Sequence, residues 1–442
     1  MTEGRYTRRG VLATLCAATA AGCLGAPQAT DSDPPEVEED VDIDWEPPMD
    51  TSPLAAEVTP TVLVENLEIP WDIAVAPTGE LFVTERTGRV VRFAADDVSG
   101  VVEPENAIDA GSLEPGADDQ PWWVEGGEGG TLGVAVHPEF PDESYVYVYY
   151  TVSVEGGKRN QVVRYDADAE SPGDTREIVV DGIPAAKIHN GGRISFGPDG
   201  DLWVLTGDAG EPGRSGDPRS LGGKVLRVTP EGDPSPANPD LEAGDPRVFT
   251  YGHRNPQGIV WLPDGTPVAS EHGPAGRDEV NVLYPGGNYG WDEVRDGDEG
   301  GEYGSYANHD EHVPPIVNTG PGTSWAPSGA LFYTGDAVPE WRNRMLVGGL
   351  FSQQLHVLTL TPNRGAYPLP SDGHGTRFDA DWMDDSFAVA DHTVLENELG
   401  RIRHVEQGPD GELYAVTSNR DGRATDGFPT ERDDVLVRLD AE

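Results

Sequence analysis

One short pattern recurs six times in this chain, and it restricts the fold more than anything else in the sequence. It is an apolar strand, a Pro-x-Gly-like turn and a second apolar strand. "PWDIAVAPTGELFVTER" begins at Pro70, "GTLGVAVHPEFPDESYVYVYYT" at Gly130 and "GGRISFGPDGDLWVLTGD" at Gly191. "PQGIVWLPDGTPVASEHG" begins at Pro256, "APSGALFYTGDAVPEWRNRMLVGGL" at Ala326 and "RHVEQGPDGELYAVTSNRDG" at Arg403. The copies start about 60 to 75 residues apart, a spacing that indicates a radial array or a solenoid. Four short strands with their loops fill one such unit, so the expected fold is all-β, a six-bladed β-propeller with four-stranded blades around a central channel. A helical solenoid does not fit, because the apolar residues alternate with period two and are rich in Val, Tyr and Trp. The last strand-like run, Asp433 to Asp440, is expected to pair with the N-terminal "PTVLVENL" and close the ring, which protects the sheet edges.

The 442 residues carry a net charge of −49, with only three lysines, Lys158, Lys187 and Lys224. Phosphate binding needs a basic surface, so nucleic acid is excluded as a partner. Ten tryptophans and regular strand patterns speak for a folded chain rather than an acidic disordered one. The expectation is a fold adapted to high salt, where counter-ions screen the surface. No apolar run beyond the N-terminus approaches membrane-span length.

The N-terminal "TRRGVLATLCAATAAGC" has a twin arginine (Arg8, Arg9), a short apolar core and Ala-Ala-Gly before Cys23. It reads as a twin-arginine export signal, residues 1–25, with a lipoprotein-type cleavage box. Cleavage before Cys23 exposes that cysteine to lipidation and removes Cys16, leaving no pair for a disulfide. The expected location is the outer face of the cell membrane, with the lipid as the only membrane contact. Residues 26–57 are acidic and Pro-rich and read as a disordered tether, and residues 58–442 as the propeller.

Polar residues that precede the blade strands can meet at one channel mouth. His189 stands directly before Asn-Gly-Gly-Arg. It can serve as a proton acceptor or be a loop histidine bonded to a carbonyl, and Gly191-Gly192 favours the first by leaving room for a ligand. In "YGHRNPQGIVW", Arg254 and Asn255 suit a planar acceptor with several oxygens, or brace loop carbonyls. In "ASEHGPAGRDEVNVLYPGGNYGW" the Gly273-Pro274 turn offers carbonyl oxygens, hard ligands for Ca²⁺. In "ELGRIRHV", Arg401 and Arg403 alternate, sharing one face of an extended strand, and suit a multiply anionic ligand.

Taken in order, "PWDIAVAPTGELFVTERTGRV", "GEGGTLGVAVHPEF", "HNGGRISFGPDG", "GHRNPQGI", "SEHGPAGRDEVN", "GGNYGW" and "GRIRHV" resemble the pyrroloquinoline quinone (PQQ)-dependent sugar dehydrogenases. These comprise the soluble glucose and aldose sugar dehydrogenases, and the resemblance spans about residues 60 to 440. It implies oxidation of an aldose at C1 to a lactone, with electrons passed to an external acceptor. It implies His189 as general base, Arg254 and Asn255 on the quinone oxygens, and Arg401 and Arg403 on the PQQ carboxylates. The carbonyls of Gly273 and Pro274 would bind the Ca²⁺ that also binds PQQ. Trp325 would lie by the cofactor plane. Glu279 and the Tyr289 carbonyl resemble a second, structural Ca²⁺ site of the aldose branch.

Four positions depart from the pattern. Glu128 stands where many relatives have a glutamine facing the cofactor. Ala209 and Ile188 replace a polar and an acidic residue of the glucose branch, and Phe351 stands where that branch has a lysine on a quinone carboxylate. The departures favour the aldose branch. Two alternatives remain open on sequence: a Ca²⁺-dependent lactonase-type hydrolase, and a non-enzymatic sugar- or partner-binding surface propeller.

Overall fold

The computed structural model describes residues 45–46, 51–94, 97–107, 127–291, 293–297, 303–362 and 375–441. The export signal and Cys23 lie outside them. In four blades the Pro-x-Gly turn closes with the same pair of backbone hydrogen bonds. In the third blade Gly197 N donates to Asp201 O (2.9 Å) and Gly200 N to Gly197 O (3.0 Å). The pairs Ala76/Glu80, Leu262/Thr266 and Gly408/Glu412 repeat this at 2.8 to 2.9 Å. Each turn places its glycine at positive φ (Gly79 88°, Gly200 82°, Gly265 87°, Gly411 88°), where a Cβ would be strained. The turn chemistry thus fixes the hairpin that opens each of these blades.

Six four-stranded antiparallel blades result, one of them extended by a fifth strand. The first is Pro70–Val75, Leu81–Glu85, Arg89–Ala94 and Asp97–Val102. The second is Thr131–Val136, Tyr145–Val154, Gly157–Asp166 and Glu177–Pro184. The third is Ile194–Phe196, Leu202–Thr206, Lys224–Val228 and Val248–Tyr251. The fourth is Pro256–Trp261, Pro267–Glu271, Glu279–Val282 and Val317–Asn318. The fifth is Pro327–Tyr333, Arg344–Gly349, Leu355–Pro362 and Phe387–Val394, with Thr376–Phe378 added on the outside. The sixth is Ile402–Gln407, Leu413–Thr417 and Leu436–Ala441, completed by Val58–Val64 from the other end of the domain. Val58 pairs with Ala441 and Val62 with Val437, so the ring closes as the sequence indicates.

An apolar cluster fills each of the six gaps between neighbouring blades. Val134, Phe82 and Val148 lie between the first and second blades, and Val260, Val280, Met345 and Leu358 between the fourth and fifth. Inner strands are therefore covered on both faces: Thr131–Val136 and Leu202–Thr206 are buried at every residue. The expected period-two alternation survives only where a strand faces solvent, as in Val58–Val64. Among the described residues helical structure is limited to short 3₁₀ turns.

The segment read as a disordered tether is docked over part of its length. Trp45 is buried, its ring 5.1 Å from Phe332 and 6.5 Å from Phe387. The carbonyls of Thr51 and Pro53 accept hydrogen bonds from Arg344 Nη2 and Trp341 Nε1, both at 3.0 Å. Acidic and Pro-rich composition concealed one buried aromatic anchor, and a single indole buries enough apolar surface to hold such a segment.

Candidate active site

The innermost strand of each blade starts at one channel mouth and ends at the Pro-x-Gly turn. Residues just before these strands therefore gather at the mouth. His189 is placed by the third-blade hairpin. The register pairs Ile194 with Val204 and Phe196 with Leu202, and two glycine-containing extensions carry it past the strands. Ala209 N donates to His189 O at 3.0 Å, with both residues at positive φ (52° and 57°). The adjoining glycines do not clear space for a ligand, as the sequence suggests. A Cβ on Gly191 would lie 2.5 Å from Leu205 O, and one on Gly192 2.8 Å from Leu132. The glycines let backbone pass against protein, and that close passage aims the histidine.

His189 Nδ1 lies 2.8 Å from Asp208 Oδ1, and Asp208 is fully buried. Asp208 also accepts the indole N–H of Trp291 (2.6 Å) and the N–H of Gly210 (2.7 Å). A carboxylate only accepts, so the imidazole carries its proton on Nδ1 and leaves Nε2 as the basic nitrogen. Glu128 also holds the histidine in place. Its Oε2 accepts the His189 backbone N–H at 2.7 Å, while Oε1 lies 3.5 Å from Arg423. Asp208 and Trp291 end two of the quoted motifs, and neither was given a role from the sequence.

Arginines crowd the same mouth. Arg403 lies 4.6 Å over the Trp71 ring; deeper in the channel Arg193, paired with Asp72, lies 4.5 Å from that ring. Arg254 lies 5.4 Å over Trp291 and donates to His272 O at 3.2 Å. Among the described residues neither Arg254 nor Arg403 has a carboxylate partner. The Nε atoms of both, and Nε2 of His272, are buried there with no hydrogen-bond partner. Burial and the neighbouring guanidiniums hold His272 well below the ordinary histidine range, so it stands neutral. Burial, then Arg86 and Arg193, likewise depresses Arg403. Arg401 is engaged differently: its three nitrogens donate to Ser418 O, Leu350 O and Asp421 Oδ2, the last at 2.8 Å. A register shift between Ile402 and His404 interrupts the simple alternation expected of Arg401 and Arg403.

Asn255 Oδ1 accepts Gly191 N at 3.0 Å, which leaves its amide nitrogen to donate elsewhere. Trp325 is buried and stacks on His356 at 4.1 Å. Phe351 N donates to Trp325 O, and the Phe351 ring is 70 % exposed; Ile188, beside the histidine, is 38 % exposed.

The buried, unsatisfied guanidinium donors of Arg254 and Arg403 fit an anionic quinone such as PQQ, since such donors are costly to leave unpaired. At the Gly273-Pro274 turn the donors are the hard carbonyl oxygens that Ca²⁺ takes. The Gly273 carbonyl receives no hydrogen bond from the described residues, while Pro274 O shares its oxygen with Arg277 Nη1 at 3.3 Å. Asp278 shapes this turn by accepting N–H groups of Gly273, Trp325 and Ala326 at 2.7 to 2.9 Å. The second Ca²⁺ site does not fit. Arg295, Tyr306, Asn318 and Asn281 already occupy the Glu279 carboxylate, and Tyr306 lies 3.0 Å from the Tyr289 carbonyl.

Comparison with known proteins points the same way. A family model described as glucose / sorbosone dehydrogenase matches residues 67–426. An uncharacterized protein of Synechocystis sp. is 30% identical over 391 residues, 83% of this chain and 85% of that protein. An aldose sugar dehydrogenase of Escherichia coli is 27% identical over 381 residues, 83% of this chain and 92% of that protein. The PQQ-bound aldose sugar dehydrogenase of Streptomyces coelicolor superposes with a TM-score of 0.64 at 32% identity, covering 88% of this chain and 99% of that one. A histidine aimed by a buried carboxylate, beside unpaired arginines on a six-bladed propeller, thus has its context: the chain belongs to the glucose / sorbosone dehydrogenase family.

Proposed function

We propose that the chain is a PQQ- and Ca²⁺-dependent aldose dehydrogenase that oxidises the C1 hydroxyl of a sugar to a lactone. The observation that carries this reading is the His189–Asp208 pair set beside guanidiniums that lack counter-ions among the described residues. When bound, PQQ supplies the acceptor for the hydride leaving C1, and Ca²⁺ polarises the reacting quinone carbonyl. Arg254, Asn255 and Arg403 would hold the quinone oxygens and carboxylates, with Arg401 bracing the strand that carries Arg403. Gly273 and Pro274 would offer carbonyls to the metal.

His189 Nε2 takes the proton of the C1 hydroxyl as the C1 hydride departs. Asp208 keeps Nδ1 protonated and stabilises the imidazolium that forms. Trp291 and Gly210 hold Asp208 in place by hydrogen bonds, and Glu128 holds the histidine backbone. An external acceptor would take up the two electrons that the oxidation releases. A metal-dependent hydrolase needs free carboxylates around an axial ion, and here Asp208 is engaged by His189, Trp291 and Gly210 and Glu128 by the His189 backbone and Arg423. We also propose that the chain is exported, lipidated at Cys23, held at the outer face of the membrane and adapted to high salt.

The test is dye-linked aldose oxidation by PQQ-free protein in molar KCl, with PQQ and Ca²⁺ added singly and together. Turnover is expected only with both. His189→Gln is expected to bind PQQ and to lose turnover. Full turnover by that variant would remove His189 from the base role, and lactone hydrolysis without PQQ would replace the dehydrogenase reading.

A further inference from the structure

Arg295 lies in the strand Val294–Asp296, shortly after Trp291. Its side chain is wholly enclosed, as are those of the two carboxylates on either side of it, Glu271 and Glu279. Nη1 donates to Glu279 Oε2, Nη2 donates to Glu271 Oε1 at 3.2 Å, and Nε faces no acceptor among the described residues. The guanidinium lies 4.8 Å over the Trp291 indole. The other lone pairs of Glu279 are taken. Asn318 Nδ2 donates to Oε1 at 3.1 Å and Asn281 Nδ2 to Oε2 at 3.3 Å. The Tyr306 hydroxyl lies 3.2 Å from Oε1 and 3.0 Å from Tyr289 O, and shares its one proton between them. Bringing Ca²⁺ to Glu279 and Tyr289 would set it against an enclosed guanidinium, with no water to screen the repulsion.

We infer that the guanidinium of Arg295 replaces a divalent cation: it is a cation built into the chain, joining two buried carboxylates where the family resemblance implied Ca²⁺. Removing either carboxylate's partner would leave buried negative charge, which is why some cation must stand here. The replacement reaches the mouth by two routes. Glu271 Oε1 also accepts the backbone N–H groups of Arg254 and, at 3.3 Å, Asn255, while Oε2 takes His253 Nδ1 at 2.8 Å. The indole under Arg295 is the one whose N–H bonds Asp208. Arg295 is thus a positioning residue for the loop that carries Arg254 and Asn255, and for the His189–Asp208 pair. None of this depends on the redox reading above.

The test uses the full chain without PQQ, at fixed KCl, in three forms: wild type, Glu279→Gln and Arg295→Ala. Calorimetry counts Ca²⁺ bound, and a thermal scan is run in EDTA and again with excess Ca²⁺. Any Ca²⁺ bound at the Gly273-Pro274 turn is common to all three and cancels. Wild type and Glu279→Gln are expected to bind equal numbers of Ca²⁺. Arg295→Ala is expected to bind one more, with its midpoint lowered in EDTA and at least half recovered by Ca²⁺. Arg295→Lys, which keeps a cation, is expected to gain no Ca²⁺. One Ca²⁺ more in wild type than in Glu279→Gln would overturn the inference, as would a folded Arg295→Ala that gains none. If Arg295→Ala does not fold, the wild-type and Glu279→Gln counts decide alone.

Discussion

Two sets of buried arginines differ in how their charge is met. Arg295 stands between two enclosed carboxylates, and Arg401 is paired with Asp421. Arg254 and Arg403 stand at the channel mouth with a tryptophan face each and, among the described residues, no carboxylate. The first set is complete within the chain. The second forms no ion pair among the described residues, in a protein whose net charge is −49 and where acids to supply one are abundant. Uncompensated buried cations are costly. Their presence is the reason the proposed function places an anionic quinone at this mouth.

The sharpest way to probe this contrast is to change the one enclosed carboxylate that touches the histidine. Asp208→Asn removes negative charge from the mouth and offers Nδ1 an amide in place of a carboxylate. Turnover is expected to fall by about 10²- to 10⁴-fold, because the tautomer and the imidazolium are no longer secured. Quinone affinity is expected to hold or rise. Parallel losses in both would mean that Asp208 shapes the pocket rather than the base.

Next in size is a matched pair of truncations. Arg403→Met is expected to weaken PQQ binding by about 10- to 100-fold, the value of a charge-assisted hydrogen bond, and to leave the quinone-free chain as stable as before. Arg401→Met is expected to do the reverse, costing about 3 kcal/mol or more of stability by leaving Asp421 buried and unpaired. Binding titrations and denaturation curves on the two proteins would separate them. Equal behaviour would collapse the distinction between complete and incomplete arginines.

The smallest effect belongs to the far end of the channel. There a cavity of about 330 Å³ is lined by Asp72, Arg193, His404 and Glu406. Burial raises the Glu406 carboxyl from 4.5 to about 7, against the lowering influence of the Gln407 N–H and Arg193, with Asp72 adding to the rise. Between those values the folded chain holds a proton that the unfolded chain has released. Glu406 therefore favours the folded state at low pH, and that advantage is lost as pH rises toward 7. Its side chain keeps 30 % of its surface open to the cavity, which reduces the expected effect to about 1 kcal/mol. Glu406→Gln is expected to be more stable than wild type by that amount at pH 8 and equal to it near pH 4.5. A variant less stable at pH 8 would show the carboxylate to be a useful partner for Arg193.

Much of this was legible in the sequence, and the limits have physical causes. Blade count followed from turn chemistry, since Pro-Asp-Gly at Pro198, Pro263 and Pro409 admits one tight geometry. Ring closure followed from an otherwise unpaired strand at each end. Asp208 was legible and overlooked: a hairpin folded about Asp199 sets His189 opposite Ala209, next to the acid. Arg295 was not legible. It lies in a stretch whose acidic and glycine-rich surroundings resemble a variable loop, and its value depends on Glu271 and Glu279 being enclosed together by a sheet. Gly191 and Gly192 illustrate the same limit, because sequence signals that space is needed without saying which atoms need it.

The strand Val58–Val64 lies beside Leu436–Ala441, almost the whole chain away. On the ribosome the first of these partners emerges long before the second and waits with an open edge until Leu436–Ala441 is made. Contacts so distant in sequence form late and slowly. The mouth draws residues from the start of every blade, so it reaches its final geometry only when this clasp shuts. Binding at this mouth would therefore report that both strands of the clasp have been made and paired. A chain lacking either Val58–Val64 or Leu436–Ala441 would leave the same blade incomplete and, with it, the mouth.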